Sequence, residues 1–396
     1  MSEKGQRPTF ALPLAMPEAT LVSRPVRERG LRSLKTGGNM VDTRIPLWTR
    51  AWPAAACGVL LVSPFLQMWM LAAVAGIVVF GTVFAAVHHA EVVAHKVGEP
   101  FGTLILALAV TVIETALIVS VMISAPSESA GLARDTVFAA VMIVCNGIVG
   151  LCLLMGGARY REQQFQVHGA SAAMAVLAVL TSLTLILPNF AARELGPLYS
   201  RPQLVFAGLV SLVLYGSFVF VQTIRHRDYF LPETADEETH VPPPSNKITY
   251  ESVGLLIVSL IAIVGLAKIL TPTVEAGIAN LHMPKSTVGI IIAALVLLPE
   301  CVAALRAAQS NRLQTSLNLA LGSALATIGL TIPAVAAVSI IHGQRLELGL
   351  DIKDQFLLAL TLVLGMITLS TGRTTVLQGI VHIVIFAVFV FFAVVP

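Results

Sequence analysis

Along most of the chain apolar residues run in long blocks, and polar residues gather in the short gaps between them. The blocks fall at roughly 51–68, 71–94, 101–125, 135–156, 169–188, 203–224, 252–278, 286–305, 314–341, 355–371 and 375–395. A helix needs about 20 residues to cross the hydrocarbon of a bilayer. The first block is the weakest, holding Pro53 and Pro64, yet Trp48, Trp52 and Trp69 flank it as aromatic residues do at a membrane interface. In lipid every backbone polar group must be satisfied within the segment. The pattern therefore predicts an all-α polytopic membrane protein of about 11 transmembrane helices.

Composition sharpens this reading. With 56% hydrophobic residues, 12% charged residues and a mean hydropathy of +0.85, the chain lies outside the range of soluble globular domains. Its four cysteines lie in apolar blocks without a CxxC pair, so neither a disulfide frame nor a zinc site is expected. Nine Lys/Arg fall in residues 1–50, nine in the even-numbered loops and six in the odd-numbered ones. The positive-inside rule then places the N-terminus in the cytoplasm and, with eleven spans, the C-terminus outside. Residues 1–50 are basic, Pro-rich and aperiodic, which predicts a disordered cytoplasmic tail. Residues 51–70 read as an extra N-terminal helix, an anchor and not a cleaved signal peptide.

Two blocks carry an acid at their centre. Glu114 lies in FGTLILALAVTVIETALIVSVMISA and Glu300 in GIIIAALVLLPECVAALRAA, where an ionisable side chain costs at least ~2.5 kcal/mol. An offset of 186 superposes Glu114 on Glu300 and Ala107 on Ala293; Glu91 precedes the first acid by 23 residues and Glu275 the second by 25. CNGIVGLCLLMGG and GSALATIGLTIPA then follow in matching places. Residues 71–224 and 252–396 thus read as two five-helix repeats. Five is odd, so the repeats insert with opposite orientation, the plan of secondary transporters that hold substrate at the midplane. Between them, 225–251 is an acidic cytoplasmic linker with Asp228, Glu233, Asp236, Glu237 and Glu238. It serves either as a solvated connection or as a surface that attracts cations.

Only Lys268 is basic within a block, so no partner charge neutralises both acids. Two carboxylates about 5 Å apart at an effective dielectric of about 20 repel by ~3 kcal/mol. Protons should then occupy the pair near neutral pH, and a divalent cation would displace them. Glu114 and Glu300 are the expected metal and proton ligands. Calcium takes about six to eight oxygens, and the Leu295 carbonyl is a further candidate because Pro299 has no N–H to offer it. Thr111, Asn146, Ser323 and Thr327 supply side-chain oxygens, each with local bonding to its own helix as the other reading. Glu91, with His88, His89 and His95 at helical spacing, sits near the cytoplasmic boundary. There it is either hydrated at the interface or part of a proton-responsive gate.

The stretches HHAEVVAHKVGEPFGTLILALAVTVIETALIVS, LLPECVAALRAA, NLALGSALATIGLTIPA and STGRTTVLQG resemble the ChaA-type proton antiporters, in the cation/proton exchanger branch of the calcium:cation antiporter superfamily. The resemblance runs from about residue 70 to the end. It implies export of calcium, and of sodium or potassium, from the bacterial cytoplasm across the inner membrane in exchange for protons. It also implies that Glu114 and Glu300 are shared cation and proton ligands, with Glu91 and Glu275 as gating carboxylates at helix ends. Calcium and protons are then substrates and no cofactor is expected. The partners are inorganic cations, protons and the lipid bilayer, with no nucleic acid. The Gly-Asn-Ala-x-Glu of many superfamily members is VTVIE and VLLPE here, so Thr111 and Leu297 stand in the Asn places. With fewer side-chain oxygens, a monovalent cation/proton antiporter stays open as the alternative; a channel is more remote. An enzyme is not expected, since neither an Asp dyad nor an HExxH helix is present within the blocks.

Overall fold

The computed structural model describes residues 45–63, 68–98, 101–124, 129–191, 196–231, 243–280, 284 and 286–395, without a few side chains inside helices, those of Trp69 and Glu275 among them. The described residues form eleven helices. These are α1 Leu47–Val62, α2 Met68–Val97, α3 Phe101–Ser124, α4 Leu132–Tyr160, α5 Val167–Phe190 and α6 Arg201–Arg225. After the linker come α7 Asn246–Asn280, α8 Ser286–Gln309, α9 Leu313–His342, α10 Ile352–Leu369 and α11 Val376–Val394. Each apolar block of the sequence has become one helix. Most of the basic tail (1–44) and the acidic stretch 232–242 lie outside the described residues.

The first helix departs most from expectation. It starts at Leu47, not 51, because Pro46 sits at its N-cap with a φ of −57° that already suits a helix, and it ends at Val62. Pro53 inside it cannot donate to the Thr49 carbonyl. His89 of α2 supplies the missing donor, its Nε2 lying 3.1 Å from that oxygen. A carbonyl only accepts, so Nε2 carries the proton and Ser252 Oγ of α7 donates to Nδ1 at 3.3 Å. Trp52 is not the interfacial anchor its position suggested. It packs on α2 at Gly81, where a Cβ would overlap the indole. An Arg50–Glu251 ion pair at 2.5 Å completes the clasp of α1 onto α7.

The remaining ten helices form two inverted repeats, α2–α6 and α7–α11, visible in how the halves meet. Helix α3 packs on α9 as α8 packs on α4; α6 packs on α9 as α11 packs on α4; α2 meets α7 and α5 meets α10. Local details recur as well. Helices α6 and α11 both open on a reciprocal capping box, Ser200 with Gln203 and Thr375 with Gln378, which satisfies otherwise orphaned N–H groups. Helices α4 and α9 both widen into a π-helical segment near mid-length, Ile143–Ile148 and Thr327–Thr331, a distortion common at functional sites.

The loops follow the same exchange. Between α4 and α5 a two-residue strand, β1 Gln163–Gln164, pairs antiparallel with β2 Arg373–Thr374 between α10 and α11, a small exception to the all-α expectation. In the mirrored pairing, the α5–α6 loop meets the α9–α10 loop. There Leu198 bridges Glu347, and the Leu348 and Gly349 amides each donate to the Pro197 carbonyl at 3.1 Å. Successive loops lie at opposite ends of a bundle, so the two pairings close its two ends.

Burial ranks the helices. The apolar window of α4 is 89% buried against 22% for α11, which puts α4 at the centre and α11 at the rim. The rim helices turn Phe206, Leu209 and Val213 of α6 and Ile380, Val384 and Phe391 of α11 outward, as lipid-facing surfaces allow.

Candidate functional site

Glu114 lies near the middle of α3 and Glu300 near the middle of α8, each only 1% exposed. Both are held by one neighbour. The Thr327 hydroxyl donates to Glu114 Oε2 at 2.6 Å and the Ser323 hydroxyl donates to Glu300 Oε2 at 2.6 Å. Ser323 and Thr327 are four apart on α9 and therefore share a face, so a single helix reaches both acids. One turn further on, Thr115 Oγ1 of α3 meets Thr331 Oγ1 of α9 at 2.8 Å, tying the same two helices together.

The other oxygen of each carboxyl, Glu114 Oε1 and Glu300 Oε1, is buried with no hydrogen-bond partner among the described residues. The two acids are within electrostatic reach of each other. Among the described residues the ion pairs are Arg50–Glu251, Arg134–Asp135 and Arg134–Glu347, none of which touches them, and Lys268 is exposed on α7. Two ionised carboxylates without a counter-charge are strongly disfavoured in a dry interior. Each bare oxygen therefore calls for a proton or a cation. Leu295 lies four residues before Pro299, which is inside α8, so its carbonyl lacks the helical donor one turn from Glu300.

Other expected ligands are placed differently. Thr111 is buried, but its hydroxyl donates to the Ala107 carbonyl of its own helix at 2.9 Å, the local bonding open to a helical threonine. Asn146 is fully buried in the π segment of α4, yet its amide turns to α10 and α11 and not to the acids. Its Nδ2 donates to Thr361 Oγ1 at 2.8 Å, and its Oδ1 faces His382 Nδ1 at 3.2 Å. Of the four expected gating residues, His88, His89 and Glu91 lie together near the end of α2, and Glu275 lies near the end of α7. His88 stands between the Trp48 and His89 rings at 5.5 and 5.8 Å, and both nitrogens of His89 serve the α1 clasp. Glu91 is exposed, within electrostatic reach of Arg306 at the end of α8. The Glu275 side chain lies outside the described residues.

Five polar residues in the hydrogen-bond chains around the acids and Asn146 escaped the sequence reading: Thr115, Thr331, Thr361, Thr368 and His382. Thr331, four residues after Thr327 within ATIGLTIP, and a lone His in GIVHIVIFAVFVFF, are the signals that would have found two of them.

A sequence model of the sodium/calcium exchanger protein family matches residues 67–224 and 251–395, most of the chain and one block per half. The chain belongs to that family. The y4hA protein of Sinorhizobium fredii (strain NBRC 101917 / NGR234) is 48% identical over 363 residues, covering 90% of this chain and 98% of that one. The sodium-potassium/proton antiporter ChaA of Escherichia coli (strain K12) is 34% identical over 315 residues, covering 78% and 85%. The Ca(2+)/H(+) antiporter of Aphanothece halophytica is 24% identical over 270 residues, covering 63% and 71%. A crystal structure of the H+/Ca2+ exchanger CAX shares the fold, with a TM-score of 0.68 at 15% identity over 87% of this chain and 88% of that one. Like its family, this exchanger is a multi-pass membrane transporter of cations and not an enzyme.

Proposed function

We propose that this exchanger moves calcium out of the bacterial cytoplasm in return for protons, with Glu114 and Glu300 as the shared binding groups. The observation that carries the reading is the pair of buried carboxyls, each with one oxygen fixed by an α9 hydroxyl and one oxygen without any partner among the described residues. Such oxygens accept either a proton or a metal ion. Competition for them makes the exchange obligatory when the site crosses the membrane protonated or metal-loaded but not empty and doubly charged. Ser323 and Thr327 hold the acids in register, and the Leu295 carbonyl adds an oxygen on the α8 side. In this reading the protein lies in the inner membrane with its N-terminus in the cytoplasm and its C-terminus outside.

A monovalent reading has its own support. The Escherichia coli relative is named a sodium-potassium/proton antiporter, and the amide oxygens of the Gly-Asn-Ala-x-Glu pattern are missing here, with Thr111, bonded to its own helix, and Leu297 in the Asn places. Everted vesicles carrying an imposed proton gradient separate the two. The calcium reading expects gradient collapse on adding calcium at concentrations well below those at which sodium or potassium acts. Collapse by sodium or potassium alone assigns the site to monovalent ions, and collapse by no cation refutes antiport.

A further inference from the structure

The two π segments occupy corresponding places in the inverted halves, but their polar side chains do different things. On α9, Thr327 reaches across to Glu114 of α3. Exchange of the halves sets the α4 segment against α8, the helix of Glu300, and those elements do pack together. Asn146 is the polar amide of that segment. Here it points the other way, into a chain of bonds that fixes its orientation completely.

Thr361 donates its hydroxyl proton to the Leu357 carbonyl at 2.8 Å, so it can only accept from Asn146 Nδ2. That leaves Asn146 Oδ1 as the acceptor facing His382, whose Nδ1 carries the proton, with the neighbouring Cys145 carbonyl a second acceptor for the same ring. Thr368 Oγ1 meets the remaining nitrogen, Nε2, at 3.1 Å. His382 is 1% exposed. It reaches Asn146 because α4 and α11 approach unusually closely: a Cβ on Gly150 would come 2.9 Å from His382 Cβ, and one on Gly379 would meet the Gly150 carbonyl at 2.9 Å. Two glycines and three polar side chains from three helices serve one amide.

We propose that His382 is a positioning residue that parks Asn146, holding its amide off the cation site in this conformation and surrendering it to Glu300 when the halves exchange roles. The inference rests on the reading of Glu114 and Glu300 as the site, and deepens it: Asn146 is a ligand of one conformation only, and His382 with Thr361 sets how readily that conformation is reached. Moving the amide carbonyl by a side-chain rotation adds an oxygen to the cation, which suits a hard ion. A ligand binding one of two conformations more tightly shifts the population toward it.

The test is a double-mutant cycle read as apparent cation KM and maximal rate of exchange in proteoliposomes. His382→Phe removes the donor and keeps an aromatic ring, so the KM should fall about fivefold, the scale of one buried hydrogen bond. Asn146→Ala should raise it by about the same factor. The combined variant should match Asn146→Ala alone, because nothing is left to park. His382→Asn, whose amide nitrogen can take the Nδ1 place, should restore the KM. If His382→Phe does not fold, Thr368→Val leaves the Asn146 contact intact and should shift the KM less in the same direction. A KM unmoved by the His382 or Thr368 variants, or His382 and Asn146 effects that simply add, overturns the parking role. Glu300→Gln separates the layers: exchange persisting in that variant removes the underlying site reading, whereas its loss together with an unmoved KM in His382→Phe removes only the parking.

Discussion

Helices α4 and α9 stand in corresponding positions of the two halves, each with a π segment in mid-course, and they treat the central acids unequally. Helix α9 spends two hydroxyls, Ser323 and Thr327, on the carboxyls of both halves. Helix α4 is the more buried of the two but gives its amide to His382 and Thr361. A fold with two-fold character in its packing is thus asymmetric at its chemistry. Alternating access in inverted-repeat transporters moves one repeat against the other around the site, and in the proposed mechanism the hydrogen bonds around the acids belong to one of those arrangements.

The sharpest break in this comparison comes from the acids themselves. Glu114→Gln and Glu300→Gln should each abolish exchange while the protein still inserts and purifies as a folded species. Exchange above a few per cent of wild type in either variant would mean that one carboxyl suffices. The next effect concerns the α9 hydroxyls. Thr327→Val and Ser323→Ala each remove a hydrogen bond to a carboxyl, worth about 1.5–3 kcal/mol when charged, so the apparent cation affinity should fall by roughly 10- to 150-fold. Asn146→Ala on the α4 side should cost less than either, and equal losses on the two sides would erase the asymmetry. The smallest effect is on stability. Gly379→Val forces a side chain into the α4–α11 contact and should destabilise by about 1–3 kcal/mol, seen as a lower unfolding midpoint in detergent. An unchanged midpoint would show that the contact yields easily.

The fold was largely legible in the sequence. Eleven apolar blocks became eleven helices because a bilayer permits few alternatives to a satisfied helix, and Glu114 and Glu300 stood out because a central acid is so costly there. Ser323 and Thr327 were named as oxygen donors on the span after Glu300, and their hydroxyls do bond the two acids. The partners of Thr111 and Asn146 were not legible. Each has an equally good partner elsewhere, in its own helix for Thr111 and across α10 and α11 for Asn146, and which partner wins depends on helix approach. That approach is set by Gly150 and Gly379, residues that leave no mark on a hydropathy pattern. His382 went unread for a related reason: one neutral polar side chain barely interrupts VLQGIVHIVIFAVFVFF. The early start of α1 turned on the opposite roles of two prolines, Pro46 favouring helix entry and Pro53 releasing a carbonyl that His89 then claims.

Rivalry between protons and metal at the same two carboxyls is most directly tested by counting protons as the ion binds. Calorimetric titration of the purified protein with calcium, in buffers of different ionisation enthalpy near neutral pH, reports that number. One to two protons should leave per calcium bound, affinity should weaken as the pH is lowered, and both effects should vanish in Glu114→Gln and Glu300→Gln. Calcium binding with no proton release, or release that persists in both variants, would contradict the account.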